Sequence, residues 1–401
     1  AIACGRRCML GGVTVSGSLD GPLLVGVADG PSLRDAVCEL GGVIVDACDD
    51  DAPLLIAGGE RSPRANRIAL RSTFEGWRGG VVPTGSPIRL AEGTEFPLAG
   101  ALAGALGVAE IFAHLSGEIR AGRRAMGLSL WDTSPDADWR DDSSDGPALR
   151  DLPTDLWLIG LGHLGQAFLW AIALLPYLAP DQVRLFLQDV DHAGESTEST
   201  SVLTSAADRE RLKTRISADW AEKRGFRTRM VERRFGTDTR VDESEPAIAL
   251  CGVDNPDARR VLDDAGFAMV FEAGLGSGVE DYRLIRTHSF PNRRGSAQTW
   301  PSAASGARDV SNLLTRPAYE NAGATGELDQ CGLTRLAEVA VGAPFVGMTA
   351  ATALLAQLLR TIAGGSRPVV ANLDLRALEY RSVVTQDRSD PITFAIGQAK
   401  S

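Results

Sequence analysis

Short apolar runs bounded by glycine, proline and acidic residues recur along the chain, and between them lie longer stretches rich in alanine and leucine. The runs have strand length and the longer stretches have helix length. PLLVGVA (22–28), GGVIVDA (41–47) and PLLIAGG (53–59), separated by turn residues and one helical stretch, predict a small layered α/β unit near the start. Farther on, LWLIGLGHLG (156–165) leads into a helical stretch and then a second run, VRLFLQDVD (183–191). RTRMVERRF (227–235), AIALCGVD (247–254) and FAMVFEAGLG (267–276) follow as further strands alternating with helical segments. That alternation predicts a parallel sheet with right-handed crossovers. DYRLIRTHSF (281–290) and LDLRALEYRSVV (373–384) read as later, antiparallel strands.

Between the two patterns lies SPDADWRDDSSDGPALRDLPTD (134–155), which is acidic, contains prolines and follows neither periodicity. The chain therefore divides into an N-terminal domain over 1–130, an acidic linker over 131–153 and a second domain over 154–401. An internal similarity crosses this boundary. PLAGALAGALGVAEIFAHLSG (97–117) and PFVGMTAATALLAQLLRTIAG (344–364) align with proline first, glycine three positions on, shared alanines, a Glu or Gln, and a closing glycine. Two readings fit: a duplicated helix, which would make the first domain a degenerate copy of the second, or a likeness of composition between alanine-rich core helices. The longest apolar stretches, 97–116, 166–180 and 344–363, are interrupted by small and polar residues and read as buried helices rather than membrane spans.

A composition of 44% hydrophobic and 23% charged residues describes an ordinary globular chain with a sizeable core. A net charge of -11 argues against a general nucleic-acid binder. It leaves a nucleotide substrate open, because phosphates are held by local donors. Cys4, Cys8, Cys38, Cys48, Cys251 and Cys331 include no C-x-x-C pair, which predicts neither a structural zinc nor a disulfide framework and fits a reducing cytoplasm. The opening AIACGRRCML predicts no secretory signal.

The chemistry begins at Gly160, Gly162 and Gly165, a G-x-G-x-x-G pattern between an apolar strand and a helix. In that context backbone amides and a helix N-terminus hold a phosphate. The expected architecture is α/β: a Rossmann-like, mostly parallel sheet with helices on both faces, plus the smaller N-terminal α/β domain. The second strand ends in Asp189 and Asp191, and Asp189 stands where a ribose-binding acid is expected. Only three lysines accompany thirty-eight arginines, and one of them, Lys213, lies shortly downstream. A retained ammonium suits a phosphate; a solvated charge in the helix-like run ADRERLKTRISADWAEKRG (206–224) is the alternative. In CGVDNPDARRVL (251–262), Asp254 offers an acid for magnesium, Asn255 a polar neighbour and Arg259 a cation, with helix capping the competing role for the first two. Phosphoryl or nucleotidyl transfer uses such a set, because a metal and fixed cations take up charge on the leaving phosphates. His163 sits inside the glycine loop, at a position that tolerates any residue.

These features, with the late helix beginning near Pro344, resemble the ThiF, MoeB and HesA superfamily, bacterial relatives of ubiquitin-activating enzymes. The likeness covers about residues 154–366: the glycine loop, QDVD at 188–191, Lys213, the Asp254-Asn255-x-x-x-Arg259 pattern and that helix, in order. It implies adenylation, in which a substrate carboxylate attacks the α-phosphate of ATP to give an acyl adenylate and pyrophosphate. By the resemblance Asp189 binds ribose, Lys213 the phosphates and Asp254 Mg2+, with Asp191, Ser196, Asn255 and Arg259 completing the nucleotide site. The substrate implied is the C-terminal carboxylate of a ubiquitin-like or sulfur-carrier protein or a peptide, and the assembly a homodimer or an internal pseudo-dimer.

The chain departs from the family where members carry a Ser-Asn-Leu-x-Arg-Gln-like segment. Here the stretch is STESTSVLT (196–204), so Thr197 replaces Asn and Thr200 occupies the Arg position. Arg209, Arg211, Arg120, Arg123 and Arg124 are the candidates to restore that charge. The zinc-binding cysteine pairs of many members are absent. Cys331, in ELDQCGLTRLAE, is the candidate thioester cysteine, farther from Pro344 than is usual. Two other functions stay open: an NAD-dependent oxidoreductase built on the same loop, and a catalytically weak scaffold of the ThiF type.

Overall fold

The computed structural model describes residues 1–59, 67–93, 95–276, 278, 280–300, 342–386 and 395–400. In the N-terminal half, Ile2–Cys8 forms α1 and Leu33–Glu39 forms α2, which opens on a reciprocal capping box between Ser32 and Asp35. Thr14–Val15 (β1) and Val43–Ile44 (β2) flank α2 and pair in parallel. Leu54–Ala57 (β3), Ala69–Glu75 (β4), Arg78–Pro83 (β5) and Met126–Ser129 (β6) form a second sheet in that spatial order, parallel between β3 and β4 and antiparallel thereafter. Pro97–Leu115 (α3) carries the chain from β5 to β6. The run at 22–28, expected as a strand, is a loop with one bridge, Pro22 to Ser32. Pro22 has no N–H for a ladder, and Gly26 packs instead against the Ala173 carbonyl of the other half. The β4–β5 hairpin escaped the sequence reading; its signal was the two-residue turn Gly76–Trp77, with Gly76 at φ +49.

The second half begins with Asp151–Pro153 (β7), Asp155–Ile159 (β8), His163–Ala173 (α4), Arg184–Gln188 (β9), Glu195–Thr200 (α5), Lys213–Glu222 (α6) and Arg227–Val231 (β10). It continues with Ile248–Cys251 (β11), Pro256–Arg260 (α7), Met269–Leu275 (β12), Leu284–Phe290 (β13) and Gly295–Thr299 (α8). Pro344–Ile362 (α9), Arg367–Asp374 (β14), Ser382–Gln386 (β15) and Ile396–Gln398 (β16) complete it. Eight strands form one sheet in the order β10-β9-β8-β11-β12-β13-β14-β15, the first five parallel and the last three antiparallel. Leu156 and Leu158 of β8 join the core built by α4 and α9, while Trp157 and Ile159 join Ala258 and Leu262 on the opposite face. Strands buried on both faces are apolar throughout, which is why these were legible as continuous runs.

Two expectations shift. The stretch 373–384 contains parts of two strands, because the Asp374 carboxylate takes both the backbone N–H and the guanidinium of Arg376 and turns the chain there. The helix-like run at 206–224 becomes helical only from Lys213 onward, after a short 3-10 turn at Ala206–Asp208.

Helices α3 and α9 are each 19 residues long, each starts with proline, and they pack side by side, with α9 also against α4. By length and composition both are apolar enough to cross a membrane, yet most of each is buried within this molecule. Fourteen positions into each helix stands a buried polar residue, Glu110 and Gln357. Glu110, 1% exposed, accepts from Gly122 N–H and pairs with Arg124 at 2.7 Å; Gln357 donates to the Pro368 carbonyl. The acidic connection at 131–153 is a packed strap. Arg78 reaches Asp142 at 2.8 Å, Trp77 donates to Asp145 and to the Pro147 carbonyl, and Arg381 donates to the Ser134 and Ala137 carbonyls.

Candidate functional site

The strand order β10-β9-β8-β11-β12 reverses direction of progress between β8 and β11, so the loops leaving their carboxyl ends part and leave a crevice. The glycine loop follows β8. Gly160 is left-handed at φ +82, and a Cβ there would stand 2.9 Å from Val253 Cγ1. A Cβ on Gly165 would lie 1.8 Å from the Gly160 carbonyl oxygen, so the strand-to-helix turn closes only without one. Gly162, which caps α4, meets nothing within 4 Å. Two of the three glycines thus hold the turn together, and the third leaves the helix N-terminus open to a ligand.

Asp189, at the end of β9, spends its carboxylate on this loop. Oδ2 accepts from Leu161 N–H at 2.7 Å, and Oδ1 accepts from Val190 and Asp191 N–H at 2.7 and 2.8 Å. The expected ribose ligand is here the residue that shapes the turn. Exposed Asp191 connects onward: its carbonyl accepts the Lys213 backbone N–H at 3.0 Å, and its carboxylate meets Lys213 Nζ at 3.2 Å. Lys213 is therefore the first residue of α6, beside the crevice, with its side chain 14% exposed. A cation in a first helical turn opposes the helix dipole, so this placement costs stability unless an anion sits close by.

The loop after β11 touches the glycine loop, since a Cβ on Gly252 would lie 3.1 Å from Gly165 N. It presents Asp254 and Asn255 exposed, and Asn255 Oδ1 caps α7 through Asp257 N–H at 2.8 Å. Arg259 turns inward. Its Nε donates to the Val253 carbonyl at 2.7 Å and lies 3.0 Å from Glu272 Oε1, and its guanidinium covers the Trp300 ring at 4.5 Å. It fixes the backbone beside Asp254; the nucleotide contact expected of it is not what this geometry offers. Glu272, fully buried in β12, also takes His288 Nδ1 at 2.8 Å. The sequence reading missed Glu272, although an acid inside the apolar run FAMVFEAGLG was its signal. Cys251 neighbours Glu272 in register; burial first, then that charge, push its thiol up to about 12.

In the STESTSVLT stretch, Ser196 is exposed, Ser199 and Thr200 donate to its carbonyl, and Thr197 caps α5 through Gly194 N–H. Those hydroxyls serve the helix. Among the proposed substitutes, Arg209 pairs with Glu198, Arg211 with Asp208 and Asp219, Arg120 with Glu379 and Arg124 with Glu110, while Arg123 is exposed. Besides Arg209 on the Glu198 carboxylate, Arg7 of α1 reaches the backbone of this stretch, donating to the Glu198 and Thr204 carbonyls at 3.3 and 3.0 Å. Burial, with Arg6 adding to it, pulls Arg7 down to about 10.

His163, the first residue of α4, is half-buried against the start of α9, with its Nε2 buried. A Cβ at Gly347 would lie 2.4 Å from Nε2, so that glycine makes room for the ring. Burial holds the imidazole down to about 4, a bond to the Ala343 backbone opposing, and Nε2 has no partner. The ring joins the glycine loop to the chain emerging from 301–341. Cys331 lies outside the described residues. Among the described residues no cluster of three or more His, Cys, Asp or Glu is placed to hold a metal.

Comparison with known proteins places this arrangement. The model of the BilD C-terminal domain matches residues 152–365, and that of the BilD N-terminal domain matches residues 1–130. A relative from Collimonas sp. (strain OK412), described as bacterial E1-like protein BilD, is 44% identical over 361 residues, covering 90% of this chain and 77% of its own. Solved structures are more distant. E. coli tRNA N6-threonylcarbamoyladenosine dehydratase TcdA shares 12% identity at a TM-score of 0.34, over 53% of this chain and 86% of its own. E. coli MccB, solved with MccA-N7isoASN, shares 13% at 0.37, over 80% and 94%. With models matching both halves and a relative this similar along most of its length, the chain belongs to the BilD family.

Proposed function

We propose that this chain uses ATP to adenylate a carboxylate at the carboxyl ends of β8, β9 and β11. The observation carrying the reading is that three neighbouring strand ends bring an open helix N-terminus at Gly162, the Lys213 ammonium and the exposed Asp254 carboxylate to one crevice. An oxygen of the substrate carboxylate bonds to the α-phosphorus while the bond to pyrophosphate breaks, and no proton moves. Such a step needs position and charge stabilisation more than a base. The α4 amides receive phosphate oxygens, and Lys213 exchanges its Asp191 partner for the developing charge on pyrophosphate. Asp254 fits magnesium as a single carboxylate ligand that leaves the remaining positions to phosphates and water. Bound there, the metal would neutralise phosphate charge. Arg259 and Glu272 keep the Asp254 loop in place.

The substrate class in this reading is the C-terminal carboxylate of a ubiquitin-like or sulfur-carrier protein or of a peptide. The E1-like description of the Collimonas relative supports it. The N-terminal half acts as the nucleotide-free member of an internal pseudo-dimer. ATP-pyrophosphate exchange that depends on such a carboxylate tests the proposal, with Lys213→Ala expected to slow it about 100-fold or more, the scale of one lost transition-state donor. Exchange unchanged in Lys213→Ala and Asp254→Ala would sink it. In the second step the Cys331 sulfur bonds to the acyl carbon as the bond to AMP breaks, AMP leaves and the thiol proton passes to solvent; a thiol-sensitive adduct lost in Cys331→Ser supports it, and normal product from that variant excludes it.

A further inference from the structure

Arg360, in the last turn of α9, is 1% exposed and lines a cavity of about 30 Å³ between the two halves of the molecule. Leu128 and Leu130 come from the first half, and Gln357, Leu373 and Arg381 from the second. Nη1 donates to the Trp131 carbonyl and to the Thr133 hydroxyl at 3.2 Å; Nε and Nη2 have no partner. Those two nitrogens share one edge of the guanidinium, the edge that grips a carboxylate through two parallel N–H···O bonds. Other charges nearby are already engaged. Asp132 accepts from the backbone and hydroxyl of Ser134 at 3.0 and 2.7 Å, and Arg381 donates to the carbonyls of Thr133, Ser134, Ala137 and Leu378. Burial pulls Arg360 down to about 10, the Asp132 charge opposing, so it stays cationic at neutral pH. A buried cation with a pair of unmade bonds, on a residue that lines a hole, is expensive unless the hole is filled by a matching group. A water needs about 10–15 Å³ of such space, so this cavity has room for a small planar anion.

We propose that the cavity is a binding site for a small carboxylate-type monoanion, of formate or bicarbonate size, held by Nε and Nη2 of Arg360. The anion clasps the strap at Trp131–Thr133 to α9, closing the seam between the halves. Arg360 lies 16 residues along α9 from Pro344, about 24 Å along the axis from the end that meets the glycine loop, so the site stands independently of the adenylation reading.

The test is [13C]formate NMR on the full chain in a buffer whose only other anion is bulky. Expected is saturable line broadening with one site per chain, competed by bicarbonate and weakly by chloride. Arg360→Gln abolishes it, and so does Ala353→Leu, which fills the cavity while leaving the arginine. No saturable formate binding by the unaltered chain would mean that water alone fills the cavity and overturns the proposal. Chloride binding more tightly than formate would overturn the carboxylate class, and binding retained in Ala353→Leu would overturn the location. If Arg360→Gln fails to fold, the unaltered chain and Ala353→Leu decide.

Discussion

The two halves of this chain share a plan and differ in one part of it. In the second half, β11 runs parallel to β12, β13 returns antiparallel, α9 crosses, and β14 adds beside β13. In the first, β3 runs parallel to β4, β5 returns, α3 crosses, and β6 adds beside β5. The helices that cross are the two whose sequences align, and their buried Glu110 and Gln357 each bond the segment that follows the helix. The β-α-β unit ahead of this plan is where they part. β8 and β9 are five residues each and β8 enters α4 through a glycine-closed turn, whereas β1 and β2 are two residues each and stand in a sheet of their own. The packing plan is present twice and the glycine turn once, and in the first half the plan sets α3 as a wall against α9.

The largest effect that would sharpen this contrast is at the turn itself. Gly165→Ala places a Cβ 1.8 Å from a backbone oxygen, and urea unfolding should show a loss of about 4 kcal/mol or more, with exchange activity gone. Next, Glu110→Ala removes the buried carboxylate shared by Arg124 and the Gly122 N–H, leaving Arg124 its Leu375 and Arg376 carbonyls, and should cost about 3 kcal/mol in the same measurement. Gln357→Glu, which sets a carboxylate against the Pro368 carbonyl, should also destabilise; a neutral result would break the equivalence of the two helices. A smaller effect depends on pH. Because burial lowers the folded pKa of His163 to about 4, the unfolded chain binds the proton more readily between about 6.5 and 4. Stability should therefore fall through that window, by at most about 3 kcal/mol, and His163→Asn should flatten the fall in a series of thermal melts. Smallest is Gly21→Ala, in the β1–α2 loop that stands where the glycine loop stands in the other half. Its Cβ would meet only Leu33 Cδ1 at 3.6 Å, so stability should move within about 0.5 kcal/mol and exchange not at all. Loss of exchange there would give the first half a chemical role.

What the sequence made legible follows from burial. β8, β9, β11 and β12 are covered on both faces, so their runs are mostly apolar, Glu272 being the buried acid among them, and their order could be read directly. The glycine turn was legible because steric demands restrict those positions to one residue. In the first half the strands are short and the apolar run at 22–28 packs without pairing, so periodicity misled there. At the site, residue types were visible and their duties were not. Whether an acid faces a ligand or its own backbone depends on where three amides point, and Asp189 turned out to hold the loop. Arg259 was likewise drawn inward by Glu272, a partner distant in sequence. Arg7 reaches the α5 stretch across the whole first half, a contact no local pattern announces.

The pairing of β7 with β16 carries a consequence for how this molecule is made. Pro153 lies opposite Ile396 and Asp151 opposite Gln398, so the entry to the second half is zipped to a segment beyond its last sheet strand. Closing so long a loop costs entropy that only an already assembled sheet can offset, because each doubling of loop length adds about 0.6 kcal/mol to a contact of two or three residues. The pair should therefore close late, over a Leu152 that the main core and α9 already help to bury.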